Sequence, residues 1–193
     1  MSRTKIIVVE GPQGAGKTTI TNFLRSAIPY TNLYRLSGTK DATPTGKEKS
    51  KKMYDCLVDY IESMANQDIN LLFDRTFFTE EIYCRLGFKE YEFSDLYFGY
   101  LDRLANMDYD IYYITLYLSD TEEYNARLER AGKAVTKYAE YDKRSSVVQQ
   151  EAYLKMAEEI KEKYPQINVI NVDNTKPEEE VEAYLKDLLS WKE

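Results

Sequence analysis

The chain has 193 residues, with Lys+Arg 26 against Asp+Glu 33, giving a formal charge of −7. Apolar residues at 43% and charged residues at 31% form an ordinary globular balance, which argues against a disordered chain or a small disulfide-stapled scaffold. Histidine is absent, which removes imidazole acid–base chemistry, a Ser-His-Asp triad and any His-containing zinc site. Proton transfer must use carboxylates or water.

No apolar run approaches the roughly 18 residues of a membrane span, and Met1–Lys5 leads into a strand-like segment rather than the core of a signal peptide. The expected setting is cytoplasmic, with no membrane partner. Cys56 and Cys84 form no CxxC pair and are read as reduced, half-buried thiols. The acidic balance speaks against stable nucleic-acid binding, which needs clustered Lys and Arg. A local phosphate pocket needs only a few cations.

In chain order, Lys5-Ile6-Ile7-Val8-Val9-Glu10 predicts a first strand buried on both faces, ended by Gly11. Gly11-Pro12-Gln13-Gly14-Ala15-Gly16-Lys17-Thr18 then satisfies G-x-x-x-x-G-K-[ST] between that strand and a helical stretch opening at Thr18-Thr19-Ile20. Glycines there let backbone N–H groups face an anion, and the helix N-terminus adds partial positive charge. Lys17 would reach the β- and γ-phosphates, and Thr18 would offer its hydroxyl to Mg²⁺.

Asn32–Leu36 predicts a weaker second strand, and Ser37–Gly46 has the turn chemistry of a loop. Leu57, Ile61 and Met64 mark an amphipathic helix. Ile69–Asp74 predicts a third strand that delivers Asp74 and Arg75 to the carboxyl edge of the sheet, where ligands bind in open parallel sheets. Asp74 would face the loop and hold Mg²⁺, while Arg75 would grip a phosphate. The competing reading makes Asp74 a helix cap and pairs Arg75 with a surface carboxylate. Ile111–Leu118 predicts a fourth strand, followed by a helix ending in Arg127-Leu128-Glu129-Arg130-Ala131-Gly132-Lys133. These cations suit a flap that closes over transferring oxygens, or they complement a helix C-terminus. Ile167–Val172 predicts a fifth strand. Strand and helix alternate throughout, which implies an α/β fold with a parallel sheet, right-handed crossovers and helices on both faces.

Nearly the whole chain resembles the thymidylate kinase and deoxynucleoside kinase family. The resemblance rests on Gly11–Thr18, on Asp74-Arg75 with Thr79 downstream, on Arg127-x-x-Arg130-x-Gly132-Lys133, and on Asn168–Thr175. It implies a three-layer P-loop NTPase fold in one domain, residues 1–193, with sheet order 2-3-1-4-5 and a lid over about 127–144. It also implies ATP and Mg²⁺ as cofactors, the metal held by Thr18 and Asp74. The ATP phosphates would lie on Gly11, Pro12, Gln13, Gly14, Ala15, Gly16, Lys17, Thr18 and Thr19, with adenine between Arg127 and the turn Asp173-Asn174-Thr175. The acceptor would meet Gln13, Arg35 and Arg75. Catalysis would fall to Lys17, Asp74, Arg75, Arg127 and Arg130. Phe78 and Tyr100, on helices expected to flank the acceptor cavity, would stack on its base, whereas Arg103 is read as pairing with surface acids.

After the second strand, related thymidylate kinases carry an R-E-P-G-G-type motif. Here the stretch is Tyr34-Arg35-Leu36-Ser37-Gly38-Thr39-Lys40-Asp41, with Arg35 as the counterpart of the phosphate-binding Arg. Deoxynucleoside kinases place a Glu near this point to deprotonate a sugar hydroxyl. Arg35, Lys40 and Arg75 against the single acid Asp41 favour an acceptor that is already anionic. The expected function is ATP- and Mg²⁺-dependent phosphoryl transfer to a (deoxy)nucleoside monophosphate. The alternatives are a deoxynucleoside kinase acting on the 5′-hydroxyl and a non-catalytic nucleotide sensor. The partner is a small nucleoside or nucleotide, and a homodimer stays open.

Overall fold

A computed structural model describes residues 3–133 and 145–189. Strand β1 (Lys5–Glu10) is buried at all its positions, as its β-branched run requires, and lies at the centre of the sheet. It pairs in parallel with β3 (Asn70–Asp74) on one side and β4 (Asp110–Tyr117) on the other. Strands β2 (Thr31–Arg35) and β5 (Ile167–Asp173) form the two edges, also parallel. The resulting order is β2-β3-β1-β4-β5, the order expected. β2 mixes half-buried and exposed residues, which explains its weak signal in the sequence.

The helices are α1 (Lys17–Ala27), α2 (Gly46–Ser63), α3 (Phe77–Arg85), α4 (Ser94–Ala105), α5 (Glu123–Arg130), α6 (Ser146–Lys163) and α7 (Glu178–Leu189). Side chains alternate across a strand, so the sheet feeds two cores. Ile6, Val8, Leu71 and Phe73 pack with residues of α2, α3, α4 and α6, among them Val58, Phe77, Leu101 and Met156. Ile7, Val9, Leu72 and Ile114 pack with Ile20 and Leu24 of α1 and with Val181 and Leu185 of α7. The layers are thus helix, sheet, helix. Thr76 and Ser145 cap α3 and α6, their hydroxyls accepting the N–H of Phe78 at 3.5 Å and of Val148 at 3.1 Å.

Many of the aromatic residues belong to the first core. Tyr54, Phe77, Phe78, Phe93, Tyr97, Tyr100 and Tyr113 interlock with neighbouring ring centroids between 4.5 and 6.3 Å apart. This corrects the expectation for Phe78 and Tyr100. Phe78 lies between Phe77, Tyr97 and Tyr113, and the Tyr100 hydroxyl donates to the Lys51 carbonyl at 3.1 Å and to Asp55 at 2.7 Å. Both rings are spent on packing and neither is free to meet a base. Arg103 pairs with Asp59 and Glu62 at the surface, as expected.

The Ser37–Gly46 stretch is a loop pinned from outside. Lys89 donates to the Thr39 carbonyl, the Glu90 N–H donates to the Ala42 carbonyl at 2.7 Å, and Asp41 accepts from Thr43 and Thr45. The expected lid is described only as far as Lys133; residues 134–144 lie outside the described residues. No helix among the described residues is long and apolar enough to cross a membrane.

Cys56 is exposed and Cys84 half-buried, both as free thiols. Burial, reinforced by Glu80 and Glu81, pushes the Cys84 thiol up to about 12, so almost none of it is thiolate near pH 8. A disulfide reagent such as dithiobisnitrobenzoate is therefore expected to titrate one thiol rapidly in the native protein and two after denaturation. Rapid reaction of both native thiols would contradict this placement.

Candidate active site

The turn from β1 to α1 brings the backbone of Gly11–Gly16 over the carboxyl edge of the sheet. Gly11 and Gly16 have φ of 142° and 95°, values that L side chains rarely adopt. Both also face close neighbours: a Cβ on Gly11 would stand 2.5 Å from the Leu116 carbonyl oxygen, and one on Gly16 would stand 2.3 Å from Asn174 Nδ2. The glycines therefore serve close approach as well as conformation. α1 carries no acidic residue in its first turn, which leaves the positive end of its dipole available to an anion.

Lys17 is 6% exposed, and its ammonium donates to the carbonyls of Gly11 and Pro12 at 2.7 Å each. Burial lowers its proton affinity, the nearby Arg75 lowers it further, and Asp74 and Glu10 partly restore it. Thr18 Oγ1 lies 3.4 Å from Asp74 Oδ2. Asp74 ends β3 almost wholly buried and also faces the Arg35 guanidinium at 3.6 Å, while Arg35 donates to Asn22 as well. Arg75 follows at φ 70°, with its N–H on the Val9 carbonyl at 3.3 Å. Burial opposes its charge, and neighbouring groups, the Glu10 and Asp74 carboxyls among them, favour it, with the net shift upward.

On the other side of the loop, Asn174 donates to the Ala15 carbonyl at 2.7 Å, and its own carbonyl accepts from Arg127 at 2.7 Å. Arg127 is also held by Glu123 at 2.8 Å. Asp173 and Thr175 build this turn, Asp173 accepting the N–H groups of Ser119 at 3.1 Å and Thr175 at 3.0 Å. Arg130 bonds within its helix, to the Ala126 carbonyl at 3.4 Å.

Two cavities result. The first, about 770 Å³, is lined by Gln13, Gly14, Gly16, Lys17, Thr18, Thr19, Arg35, Asp74, Arg75, Arg127, Arg130 and Asn174, together with Ser37, Lys133 and others. Gly11, Pro12 and Ala15 form the loop behind it, and Asp173 and Thr175 shape its rim without lining it. The second, about 380 Å³, is lined by Gln13, Ser37, Lys40, Thr79, Glu80, Tyr83, Phe88, Lys89 and Gln149, among others. Gln13 and Ser37 belong to both, so the cavities adjoin. The aromatic wall is supplied by Tyr83 and Phe88, whose rings lie 5.2 Å apart, in place of Phe78 and Tyr100. In the same wall Glu80 and Lys89 form a buried ion pair at 3.2 Å, and Ser50 and Tyr91 also donate to Glu80. Sequence reasoning missed Tyr83, Phe88, Glu80, Lys89 and Gln149, which carry no motif. It also passed over Glu10, although an acid that follows four buried apolar residues in a strand is itself a signal.

No cluster of three potential metal-ligating side chains occurs among the described residues. Thr18 and Asp74 offer one hydroxyl and one carboxylate close together, a hard-oxygen pair that suits a divalent cation drawing its remaining ligands from phosphate and water.

A parallel sheet in this order, with a glycine-rich loop running from its central strand into a helix, defines the P-loop fold of the nucleoside and nucleotide kinases. No protein-family model matches the chain, and no curated protein matches it by sequence. Among solved structures, the chain is similar to deoxyadenosine kinase from M. mycoides with products dCMP and a flexible dCDP bound, with TM-score 0.58 and 16% identity over 95% of this chain and 97% of that one. The same enzyme with bound dATP gives TM-score 0.57 at 16% identity, over 96% of this chain and 99% of that one. Thymidylate kinase from Candida albicans gives TM-score 0.60 at 15% identity, over 98% and 92%. At these identities the likeness establishes the fold.

Gly11 offers a direct check of this geometry. Gly11→Ala sets a methyl against a backbone oxygen of β4 that cannot rotate away, and adds strain at φ 142°. It is expected to cost about 2–4 kcal/mol of stability in urea unfolding. A loss below about 0.5 kcal/mol would contradict the packing.

Proposed function

We propose that the protein is a kinase that transfers the γ-phosphoryl group of ATP, with Mg²⁺, to a (deoxy)nucleoside monophosphate. The reading treats residues 1–193 as one domain with a lid over about 127–144. The observation that carries it is the junction of the two cavities. One has the loop, Lys17 and a helix N-terminus, the other has an aromatic wall, and Gln13 is common to both.

The triphosphate would take the loop N–H groups and draw Lys17 from the Gly11 and Pro12 carbonyls onto its own oxygens. An anion at that point restores the charge that burial disfavours. Adenine would rest against Arg127 and the Asn174 turn. Magnesium, when bound between Thr18 and Asp74, would offset charge on the β- and γ-phosphates. Arg75, in the first cavity, would hold the acceptor phosphate or the transferring group, Arg35 would exchange Asp74 for the acceptor phosphate, and Arg127 and Arg130 would add charge from the lid side. Tyr83 and Phe88 would hold the acceptor base, a task first expected of Phe78 and Tyr100.

The choice of a monophosphate acceptor rests on the carboxylates. Glu10 and Asp41 lie outside both cavities, Glu10 taken by Thr76 and Thr79 and Asp41 by Lys49, Thr43 and Thr45. Of the acids that line them, Asp74 is taken by Arg35 and Thr18 and Glu80 by Lys89, Tyr91 and Ser50, while Glu178 opens α7. A neutral sugar hydroxyl needs a free base, whereas a phosphate oxygen needs cations, and cations are what the first cavity offers.

The test incubates purified protein with ATP, Mg²⁺ and each common nucleoside and nucleoside monophosphate and follows the products. Diphosphate formation from a monophosphate is expected. Monophosphate formation from a nucleoside would favour the 5′-hydroxyl kinase, and binding of ATP without any product would favour a sensor. Lys17→Ala is expected to lower turnover at least about 100-fold with the unfolding midpoint unchanged or raised, since a buried cation is lost. Arg75→Ala is expected to raise the acceptor KM about tenfold or more while ATP affinity stays within about threefold, a split of roughly 1.4 kcal/mol. Equal losses on both substrates would make Arg75 structural.

A further inference from the structure

Between Lys5 and Glu10 β1 is apolar, and the Glu10 side chain is fully buried. A carboxylate in such a place is tolerated only when its lone pairs are met. Oε1 accepts the Thr76 N–H at 2.9 Å, and Oε2 accepts the Thr79 hydroxyl at 2.6 Å. Threonine has one hydroxyl proton. Having given it to Glu10, Thr79 must accept from the Tyr153 hydroxyl, 2.9 Å away. Tyr153 lies on α6, and the first turn of α6 sends the Ser146 hydroxyl to the Gln13 carbonyl at 2.8 Å. The bonds therefore run from the end of β1 through α3 and α6 and return to the phosphate loop.

The first of these bonds holds the turn between β3 and α3. Arg75 sits in that turn at φ 70°, a left-handed conformation that costs free energy for a bulky residue unless its surroundings impose it. The Arg75 N–H on the Val9 carbonyl and the Thr76 N–H on Glu10 bracket it, and both acceptors belong to β1. Glu10 lines neither cavity, so it does not touch bound molecules. Burial pushes the Glu10 carboxyl up to about 7, while its bonds to Thr79 and Thr76 and the nearby Lys17 and Arg75 pull it down.

We infer that Glu10 is a positioning residue: by holding the Thr76 N–H it fixes the Arg75 turn against the phosphate loop, so that Arg75 and Lys17 keep one spacing within the first cavity. Only the kinetic arm of the test rests on the kinase reading. Glu10→Gln keeps an acceptor for the Thr76 N–H at the same reach, and its amide lets the hydroxyl chain through Thr79 and Tyr153 run in the opposite sense. Glu10→Ala leaves the Thr76 N–H without a partner.

The experiment measures amide hydrogen exchange by NMR at Thr76 and, as a reference in the centre of the sheet, at Ile114, together with acceptor kinetics and ATP binding. Glu10→Ala is expected to speed exchange at Thr76 at least tenfold while Ile114 keeps its protection. It is also expected to lower kcat/KM for the acceptor at least tenfold with the ATP Kd within threefold. Glu10→Gln is expected to restore both readouts to within threefold of wild type. Unchanged exchange at Thr76 in Glu10→Ala, parallel loss of acceptor use and ATP binding, or a Gln variant as impaired as the Ala variant would overturn the inference. If wild type makes no phosphorylated product, the kinase reading falls, and exchange at Thr76 still decides the positioning role. If Glu10→Ala does not fold, Thr79→Val removes the second arm and is expected to speed Thr76 exchange at least threefold; no change would overturn the inference.

Discussion

A cation that is nearly inaccessible to water must find oxygen atoms, and Lys17 finds them in the turn that carries it, at the carbonyls of Gly11 and Pro12. This self-contact sets the shape of the site. It needs a backbone that doubles back within a few residues, which requires glycine at φ values closed to other residues. It also needs a central strand stiff enough to hold the start of the turn, which the pairing of β1 on both edges provides. The carbonyls are weak partners for an ammonium compared with phosphate oxygens. The site is therefore built around a charge whose better partner is an external anion.

The field of the site opposes that of the chain. A net charge of −7 would repel a polyanion if it were spread evenly. The first cavity instead gathers Lys17, Arg35, Arg75, Arg127, Arg130, Lys133 and Lys176 against Asp74 and Glu178, while other acidic residues lie elsewhere at the surface, such as Asp59 and Glu62 beside Arg103. Local concentration of one sign in a concave region focuses the potential. Whole-chain charge argues against a protein that coats nucleic acid and says nothing against a phosphate pocket.

The strands and the phosphate loop were legible in the sequence because both are local: a β-branched run, a glycine pattern and an alternation of periods. The order of the strands in the sheet is not local and followed only from the family resemblance. The aromatic wall was not legible, and α3 shows why. Phe78 and Ile82, four residues apart, face the apolar core, whereas Thr79 and Tyr83, one step round the same helix, line the second cavity. Successive helical residues differ by about 100°, and both rows carry large or apolar side chains, so composition alone cannot tell the packed face from the open one. Phe88 and Lys89 follow α3 whereas Gln149 stands on α6, and they meet only once the sheet has brought the two helices together. Arg127 was legible as a cation near the site, yet its contact with the Asn174 carbonyl depends on a turn 47 residues away.

The ion pair between Glu80 and Lys89 follows the same logic at the far wall. Both side chains are almost wholly buried, and such a pair contributes little net stability, because desolvation offsets most of the attraction. Its effect is geometric. Lys89 reaches past Glu80 to the Thr39 carbonyl, and Glu80 lies so close to Gly38 that a Cβ there would stand 2.8 Å from Oε2. The pair thereby binds the Ser37–Gly46 loop to α3 from both sides and gives the second cavity a closed flank. An apolar pair of equal volume would fill the space without holding the loop. The charges are retained where a loop with few core anchors of its own must keep a fixed position beside Gln13 and the phosphate loop.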